Sequence, residues 1–331
     1  MERTYSYEAE SYAVFTNLDS SILLLNPLLE TFGFRFVRFR LDELEKSFGH
    51  LFGISTDYQQ PIATITDSEP EMTEDGWYRL PISNNFYELL AHGFHGGHYL
   101  IHRREMFFLQ KIENAVQHVK NGYITFDSIS YRVDSMKGFT QQLIYQLRLL
   151  KRGDVSCTSY FQIAVDTRTI ISRLGPAFVP IGNSMYTLSE NDVNSFKRQF
   201  NSSLSISMLA EVAFHNFNTA YEITEPRAKF LMLMTCLEAL FSAGRTEIAH
   251  TISRHLSMLF AKSPEEFQAS YKSVKNLYNV RSKIIHGDNV KNDLHPLLLE
   301  LEDLVRRALN HCLSLNLSKD AFYQELNAKG F

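Results

Sequence analysis

The feature that most restricts the fold of this 331-residue chain is a segment, residues 230–241, that is almost wholly apolar. Its only charged residue is Glu238. A helix that is hydrophobic on all sides is expected where other elements of the protein enclose it. The segment therefore predicts the central, fully enclosed helix of a multi-helix domain.

Glu238 is the anomaly in this predicted central helix. A buried carboxylate is costly unless a cation or several donors hold it, so Glu238 predicts a nearby cationic partner. Arg254, Arg281 and Lys283 are the candidates. The pair has two possible roles, a structural ion pair that orients one helix against another or a direct part in catalysis, and the first is the commoner role of buried pairs. Either role places Glu238 near the functional site.

Helix signals surround this segment from residue 189 onward. Capping side chains mark three helix starts, and glycines mark two stops by their tolerance of the left-handed conformation. A further helix is predicted over residues 293–315, so we expect a bundle of about five helices. The starts are Ser189 with Asp192, Thr224-Glu225-Pro226 and Ser263-Pro264-Glu265-Glu266, and the stops are Ser242-Ala243-Gly244 and His286-Gly287.

The first half of the chain has a different pattern. Residues 33–40 and 123–133 are rich in β-forming residues and predict strands, whereas residues 105–120 and 139–151 carry apolar residues at three- and four-residue steps and predict helices. The length and the 44% hydrophobic content are sufficient for two cores. We therefore expect an α+β sensing or regulatory domain over residues 1–189 and an all-α domain over residues 190–331.

Bulk properties exclude several classes of protein. The formal net charge of −4 disfavours a protein that coats or packages nucleic acid, so any polynucleotide contact must be local. The apolar runs are too short for a signal peptide or a membrane span, which predicts a cytoplasmic protein. Three scattered cysteines, Cys157, Cys236 and Cys312, favour buried thiols over a disulfide framework or a zinc site.

Arg281 and His286 form the pair with the clearest chemistry. Histidine titrates near neutral pH and can accept the proton of a ribose 2′-hydroxyl, while arginine offers a planar fork of donors to phosphate oxygens. Residues five apart on a regular helix are about 140° apart, so convergence requires the helix to tighten or end at His286. Gly287 supplies that stop. The pair predicts metal-free RNA cleavage by in-line attack of the 2′-oxygen, leaving a 2′,3′-cyclic phosphate.

The context of this pair resembles the HEPN superfamily, in particular the C-terminal domains of ApeA-like prokaryotic anti-phage proteins. The signature of that branch is an arginine, a polar residue, two or three mostly apolar residues and then His-Gly. Ser282 fills the polar position, residues 284–285 fill the apolar ones, and Tyr278 precedes the string. Residues 247–256 are similar to the preceding helix of the family. The resemblance covers residues 190–318, with a looser match over 120–190.

The resemblance implies an endoribonuclease effector of antiviral defence or abortive infection that uses no cofactor. It implies Arg281 and His286 as catalytic residues, supported by Glu238, Tyr278 and Ser282. It also implies a homodimer through the helical domain, in which two Arg-His pairs face each other across a cleft for RNA. A phage-derived trigger or a nucleotide would act on the N-terminal domain.

Two alternatives stay open at this point. Many HEPN domains bind nucleotide, RNA or protein without cleaving, and a histidine at a helix end often serves only to interact with terminal carbonyls. Four histidines in a glycine-containing segment, predicted to be a flexible loop, also suggest a metal site, although the spacing matches no common motif. These residues are His92, His95, His98 and His102.

Overall fold

The computed structural model describes residues 4–40, 77–81, 98–102, 105–112, 115–120, 123–124, 126–165, 170–174, 185–201, 203–242, 247–288 and 293–329. The chain forms two compact units, Met1–Ser202 and Ser203–Phe331. The first contains an antiparallel sheet with helices, and the described part of the second is helical, as the sequence predicted in broad terms. We expected the helical domain from residue 190, whereas residues 190–202 belong to the first unit.

The first unit is built around β1, a strand of 13 residues. One side of β1 pairs with β6 and then β5, and the other side pairs with β8, all antiparallel. Strands β2, β7 and β9 pair with β5, β6 and β8, while β3 and β4 form a separate pair. The strands are β1 (Thr4–Thr16), β2 (Phe34–Arg40), β3 (Trp77–Pro81), β4 (His98–His102), β5 (Glu105–Lys111), β6 (Ala115–Lys120), β7 (Tyr123–Ile124), β8 (Ser156–Ala164) and β9 (Ile170–Leu174).

Helices cover one face of this sheet. The first unit contains α1 (Asn26–Leu29), α2 (Phe126–Leu150) and α3 (Glu190–Gln199) among its described residues. Leu143 and Leu147 of α2 join the core formed by Phe36 of β2 and Leu109 of β5. The predicted strand over residues 33–40 and the predicted helix over 139–151 are confirmed.

Two predictions in this unit were wrong. The predicted helix over residues 105–120 is replaced by the strands β5 and β6, which cover residues 105–111 and 115–120. Phe107, Phe108 and Leu109 are all buried, and a strand with both faces buried has no alternation by which to distinguish it from a helix. Residues 123–133 are a strand only at β7, and α2 begins at Phe126. There the three- and four-residue spacing of apolar positions outweighs β propensity, which depends strongly on context.

The described part of the second unit contains six helices, and together with α3 the described residues from 190 onward contain seven, more than the five or so expected. The predicted starts are confirmed: Ser189 and Asp192 form a capping box at α3, Glu225 caps α5 and Ser263 caps α7. The six helices are α4 (Glu211–Ala220), α5 (Pro226–Phe241), α6 (Ile248–Phe260), α7 (Pro264–His286), α8 (Leu294–Cys312) and α9 (Lys319–Ala328).

Helix α5 is the central helix of this unit, in contact with α4, α6, α7 and α8. Its residues Phe230, Leu233, Leu237 and Leu240 are fully buried. Each such side chain contributes about 1.5–3 kcal/mol of burial free energy. The expectation of enclosure on every side was nevertheless wrong, because Thr235 is exposed within the unit. Glu238 lies at the partly exposed border of the helix.

Cys157, Cys236 and Cys312 are buried free thiols, as predicted. Burial raises the pKa of the Cys312 thiol to about 12 and also raises the pKa of Cys236. Both thiols therefore stay protonated at neutral pH. Among the helices that the structure describes, none is long and apolar enough to cross a membrane.

Candidate active site

Helix α7 presents the Arg281 and His286 positions. Ser263 starts the helix by accepting a hydrogen bond from Glu266 N. Gly287 ends it in the left-handed conformation, with φ of 75°. The amide of Gly287 donates to Ile284 O at 3.2 Å, and Asp288 N donates to Lys283 O at 2.9 Å, which is a Schellman motif. The predicted stop at His286 is thus confirmed.

Arg281 is the cation that holds Glu238. Its Nε lies 3.0 Å from Glu238 Oε1, and its Nη2 donates to Oε2 at 3.4 Å. The shorter contact is poorly aligned, so the buried Oε1 atom has no well-formed hydrogen bond within the described structure. The two side chains are 27% and 22% exposed. The pair is therefore half-buried at the α5–α7 contact.

The other two candidate partners of Glu238 lie elsewhere. Lys283 is exposed. Arg254 donates from Nη1 to Asn327 Oδ1 on α9. Tertiary packing thus selects Arg281 from three cations that the sequence left equivalent.

The Arg281 guanidinium is also supported by Tyr278, whose ring centroid lies 5.5 Å from Cζ. Tyr278 and Ser282 are both half-exposed. Arg281 Nη1 forms no hydrogen bond with any residue that the structure describes. Its two N–H groups are therefore the ones available to an anionic ligand, while Nε and Nη2 fix the plane of the fork.

His286 is the last residue of α7 and is exposed. Its imidazole forms no hydrogen bond or ion pair with any residue that the structure describes. Because α7 keeps its helical geometry up to His286, the Cα–Cβ directions of Arg281 and His286 differ by about 140° around the axis. A single protomer thus presents both side chains at one helix end, on different faces of that helix.

The histidine cluster is only partly described. His92 and His95 lie outside the described residues. His98 and His102 form the two ends of β4, so the predicted flexible loop was wrong for residues 98–102. The described residues contain no group of three or more His, Cys, Asp or Glu side chains placed to hold a metal ion.

A buried polar network was not foreseen from the sequence. The hydroxyl of Tyr221 donates to Glu302 Oε1 at 2.8 Å and accepts from Arg306 Nη2 at 3.0 Å. Arg306 also pairs with Glu302, and Lys229 Nζ lies 3.7 Å from Glu302 Oε2. Burial opposes the charge of Arg306, but Tyr221 and Glu302 outweigh it and raise its pKa. The i, i+4 spacing of Glu302 and Arg306 was the available signal.

Comparisons of the chain with protein-family models, curated proteins and solved structures found no match. The resemblance to HEPN proteins therefore stays a prediction from the sequence.

Proposed function

We propose that the second unit is a metal-independent endoribonuclease in which Arg281 and His286 cleave RNA. One observation carries the proposal: Glu238 fixes two nitrogens of the Arg281 guanidinium and leaves Nη1 unbonded, at the same helix end as the exposed His286. An oriented guanidinium loses little entropy on binding a phosphate, and an exposed imidazole is accessible to a ribose hydroxyl.

The proposed reaction is a transesterification. The neutral His286 imidazole accepts the proton of the 2′-hydroxyl, and the 2′-oxygen attacks the adjacent phosphorus in line. The bond from phosphorus to the 5′-oxygen breaks, and the leaving oxygen takes a proton from an imidazolium or water. Arg281 Nη1 donates to a non-bridging oxygen and stabilises the charge of the transition state. The products are a 2′,3′-cyclic phosphate and a 5′-hydroxyl end.

The angular separation of the two side chains supports a two-fold dimer as the active form. A second copy would place its own His286 beside the Arg281 of the first, and cyclic dimers are the commonest closed assembly. Light scattering at micromolar concentration tests this point. A strict monomer that still cuts RNA would refute a composite site.

The biological role that fits the resemblance is an effector of prokaryotic defence. In that role the first unit would sense a phage-derived trigger or a nucleotide and control the nuclease. Expression of the wild-type chain in bacteria should then reduce growth and degrade RNA, and the His286→Ala variant should do neither.

The second candidate function is a binding module that docks nucleotide, RNA or protein without cleavage. The Glu238 ion pair favours it, because that contact offsets the charge of Arg281 without any substrate. An RNA-cleavage assay on the purified protein distinguishes the two candidate functions.

The deciding experiment incubates RNA with the purified protein in excess chelator and analyses the fragments and their termini. Wild type should yield 2′,3′-cyclic phosphate ends, and Arg281→Ala and His286→Ala should yield no fragments while keeping wild-type circular dichroism. His295→Ala, at an exposed position of α8, is the matched control and should cleave normally. Undiminished cleavage by His286→Ala would refute the assignment.

A further inference from the structure

A cleft of about 290 Å³ lies at the opposite end of α7 from His286. Side chains of α6, of the start of α7 and of the end of α9 form its walls. Its size is close to the lower limit for small-ligand sites. The lining residues are Arg254, Met258, Pro264, Phe267, Gln268, Asn327 and Lys329.

The chemistry of this cleft suits an anion attached to a flat apolar group. Arg254 and Lys329 are its two cations, and no carboxylate is among the lining residues. Arg254 contacts the neutral amide oxygen of Asn327, and neither cation forms an ion pair within the described part of the second unit. Two uncompensated cations beside the ring of Phe267 are the combination that binds a phosphate and an adjacent base.

A stripe of aromatic rings continues from the cleft along α7. Phe267 stacks on Tyr271, with ring centroids 6.1 Å apart and an interplanar angle of 29°. Tyr278 lies seven residues after Tyr271, so the three rings fall within an arc of about 40° on the helix surface. All three are half-exposed. Tyr271 also contacts His250 of α6 through its ring and its hydroxyl, so the exposed part of each ring is the surface that the stripe offers to a ligand.

Cations accompany the stripe. Lys275 Nζ lies 5.9 Å from the Tyr271 centroid, and Arg281 Cζ lies 5.5 Å from the Tyr278 centroid. The axial distance from Phe267 to Arg281 is about 21 Å, at 1.5 Å per residue. Alternating rings and cations over this length are typical of surfaces that bind single-stranded nucleic acid, where rings stack on bases and cations contact the backbone.

We propose that the cleft and the aromatic stripe of α7 form an extended subsite for single-stranded RNA, running from Arg254 and Lys329 to the Arg281–His286 end. The identity of the strand as RNA rests on the proposed function. A phosphate binds between Arg254 and Lys329, and unpaired bases stack on Phe267, Tyr271 and Tyr278. A duplex is excluded from this role because its bases are already stacked on each other.

The length of the stripe favours a strand over a free mononucleotide. The cleft alone would accommodate a mononucleotide, but the rings of Tyr271 and Tyr278 extend well beyond it towards Arg281. A mononucleotide in the cleft would leave Tyr278 without a role in affinity. The two ligands share phosphate and base chemistry, and variants at Tyr278 distinguish them.

The test is fluorescence anisotropy with the full chain and a labelled, 2′-O-methylated single-stranded RNA of about twelve nucleotides, within the range that such sites cover. This probe cannot be cleaved through its 2′-oxygen. Arg254→Gln combined with Lys329→Gln should weaken binding roughly tenfold and flatten its salt dependence. Tyr278→Leu should weaken binding severalfold. Lys272→Gln, an exposed cation on another face of α7, is the matched control and should bind as wild type does.

The single variant Lys329→Gln is included because it should fold as wild type does. Its side chain is exposed and follows the end of α9. Wild-type affinity and salt dependence in both Lys329→Gln and the double variant would overturn the inference. The same variants are also titrated with adenosine monophosphate. The inference would be overturned if the double variant lost adenosine monophosphate binding while Tyr278→Leu bound both adenosine monophosphate and the strand as wild type does. Strand binding that the variants weaken, without any cleavage of ordinary RNA by wild type, would uphold the subsite and refute the nuclease.

Discussion

Glu238 and Arg281, which are 43 residues apart in the sequence, form an ion pair with 3.0 Å between Oε1 and Nε. The contact joins the central helix α5 to α7. It fixes the plane of the guanidinium and directs Nη1 away from the carboxylate. The pair therefore links the stability of the second unit to the orientation of the proposed phosphate-binding group.

Glu238→Ala should lower the free energy of unfolding of the second unit by about 1–2 kcal/mol, because it removes the partner of a half-buried cation. A urea titration followed by circular dichroism measures this. A double-mutant cycle with Arg281→Ala should give a coupling energy of about 1 kcal/mol. Glu222→Ala, an exposed carboxylate without a side-chain partner in the described structure, should change stability by less than about 0.5 kcal/mol. A coupling energy of zero would show that the contact has no energetic effect.

Arg281→Lys should reduce the rate of RNA cleavage about a hundredfold, because lysine keeps the charge but lacks the fork that Glu238 orients. Single-turnover cleavage rates at saturating enzyme measure the effect. Lys283→Arg, two residues away and exposed, serves as the control and should retain the wild-type rate. An Arg281→Lys variant with the wild-type rate would mean that only charge is needed at this position.

Gly287→Ala should destabilise the second unit by about 1 kcal/mol, since the residue has a positive φ of 75°. A Cβ at this position would meet no atom within 4 Å, so the cost comes from the backbone alone. Thermal melts of Gly287→Ala and Gly287→Asn measure it, with asparagine expected to cost less. Gly138→Ala is the contrasting control, because Gly138 lies in α2 with equally open space and alanine should stabilise a helix interior. Equal effects at both glycines would contradict this account.

The second unit should lose stability as the pH falls below about 6.5, the ordinary pKa of histidine. Desolvation lowers the pKa of the buried His255, and its bonds to Phe241 O and Asn327 only partly oppose this. Because the folded-state pKa is below the unfolded one, the unfolded chain takes up more protons in the window between them. The stability that the neutral His255 contributes is therefore fully present above about pH 6.5. It is lost as the pH falls from there to the folded-state pKa.

Melting temperatures at pH 7.5 and pH 5.5 measure this effect. His255→Gln should show a smaller decrease between the two pH values than wild type, whatever its absolute stability. His295→Gln, an exposed histidine in α8, is the control. His311, whose pKa burial also lowers, should retain part of the pH dependence in both variants. A His255→Gln variant with the full wild-type decrease would contradict the assignment.

Glu302→Gln and Arg306→Met should each destabilise the second unit by at most about 3–5 kcal/mol, because each removes the most buried partner of a buried charge and leaves Asp303 for Arg306 or Lys229 for Glu302. Tyr221→Phe should cost about 1–2 kcal/mol through the loss of two hydrogen bonds. Arg307→Met, the exposed neighbour of Arg306, is the control and should cost less than about 1 kcal/mol. Equilibrium unfolding in urea distinguishes these outcomes. Changes close to zero in the free energy of unfolding of all three network variants would show that water enters the network.

The ends of helices were determined locally by the sequence. Ser189, Ser263 and Gly287 act on backbone groups within four or five residues of themselves, so their effects do not depend on the rest of the fold. The same holds for the His286 position at a helix end. These features were predictable because the atoms that cause them are neighbours in the chain.

Tertiary structure alone decided the features that join distant segments. Residues 105–111 and 115–120 form strands because β1 and β2 offer them backbone partners, which no local pattern encodes. Glu238 pairs with Arg281, and not with Arg254 or Lys283, because α7 packs against α5 where these two residues lie. The cleft between Arg254 and Lys329 exists because α9 lies beside α6. Such contacts depend on which helix faces meet, and that is settled by the packing of the whole unit rather than by the few residues on either side of each group.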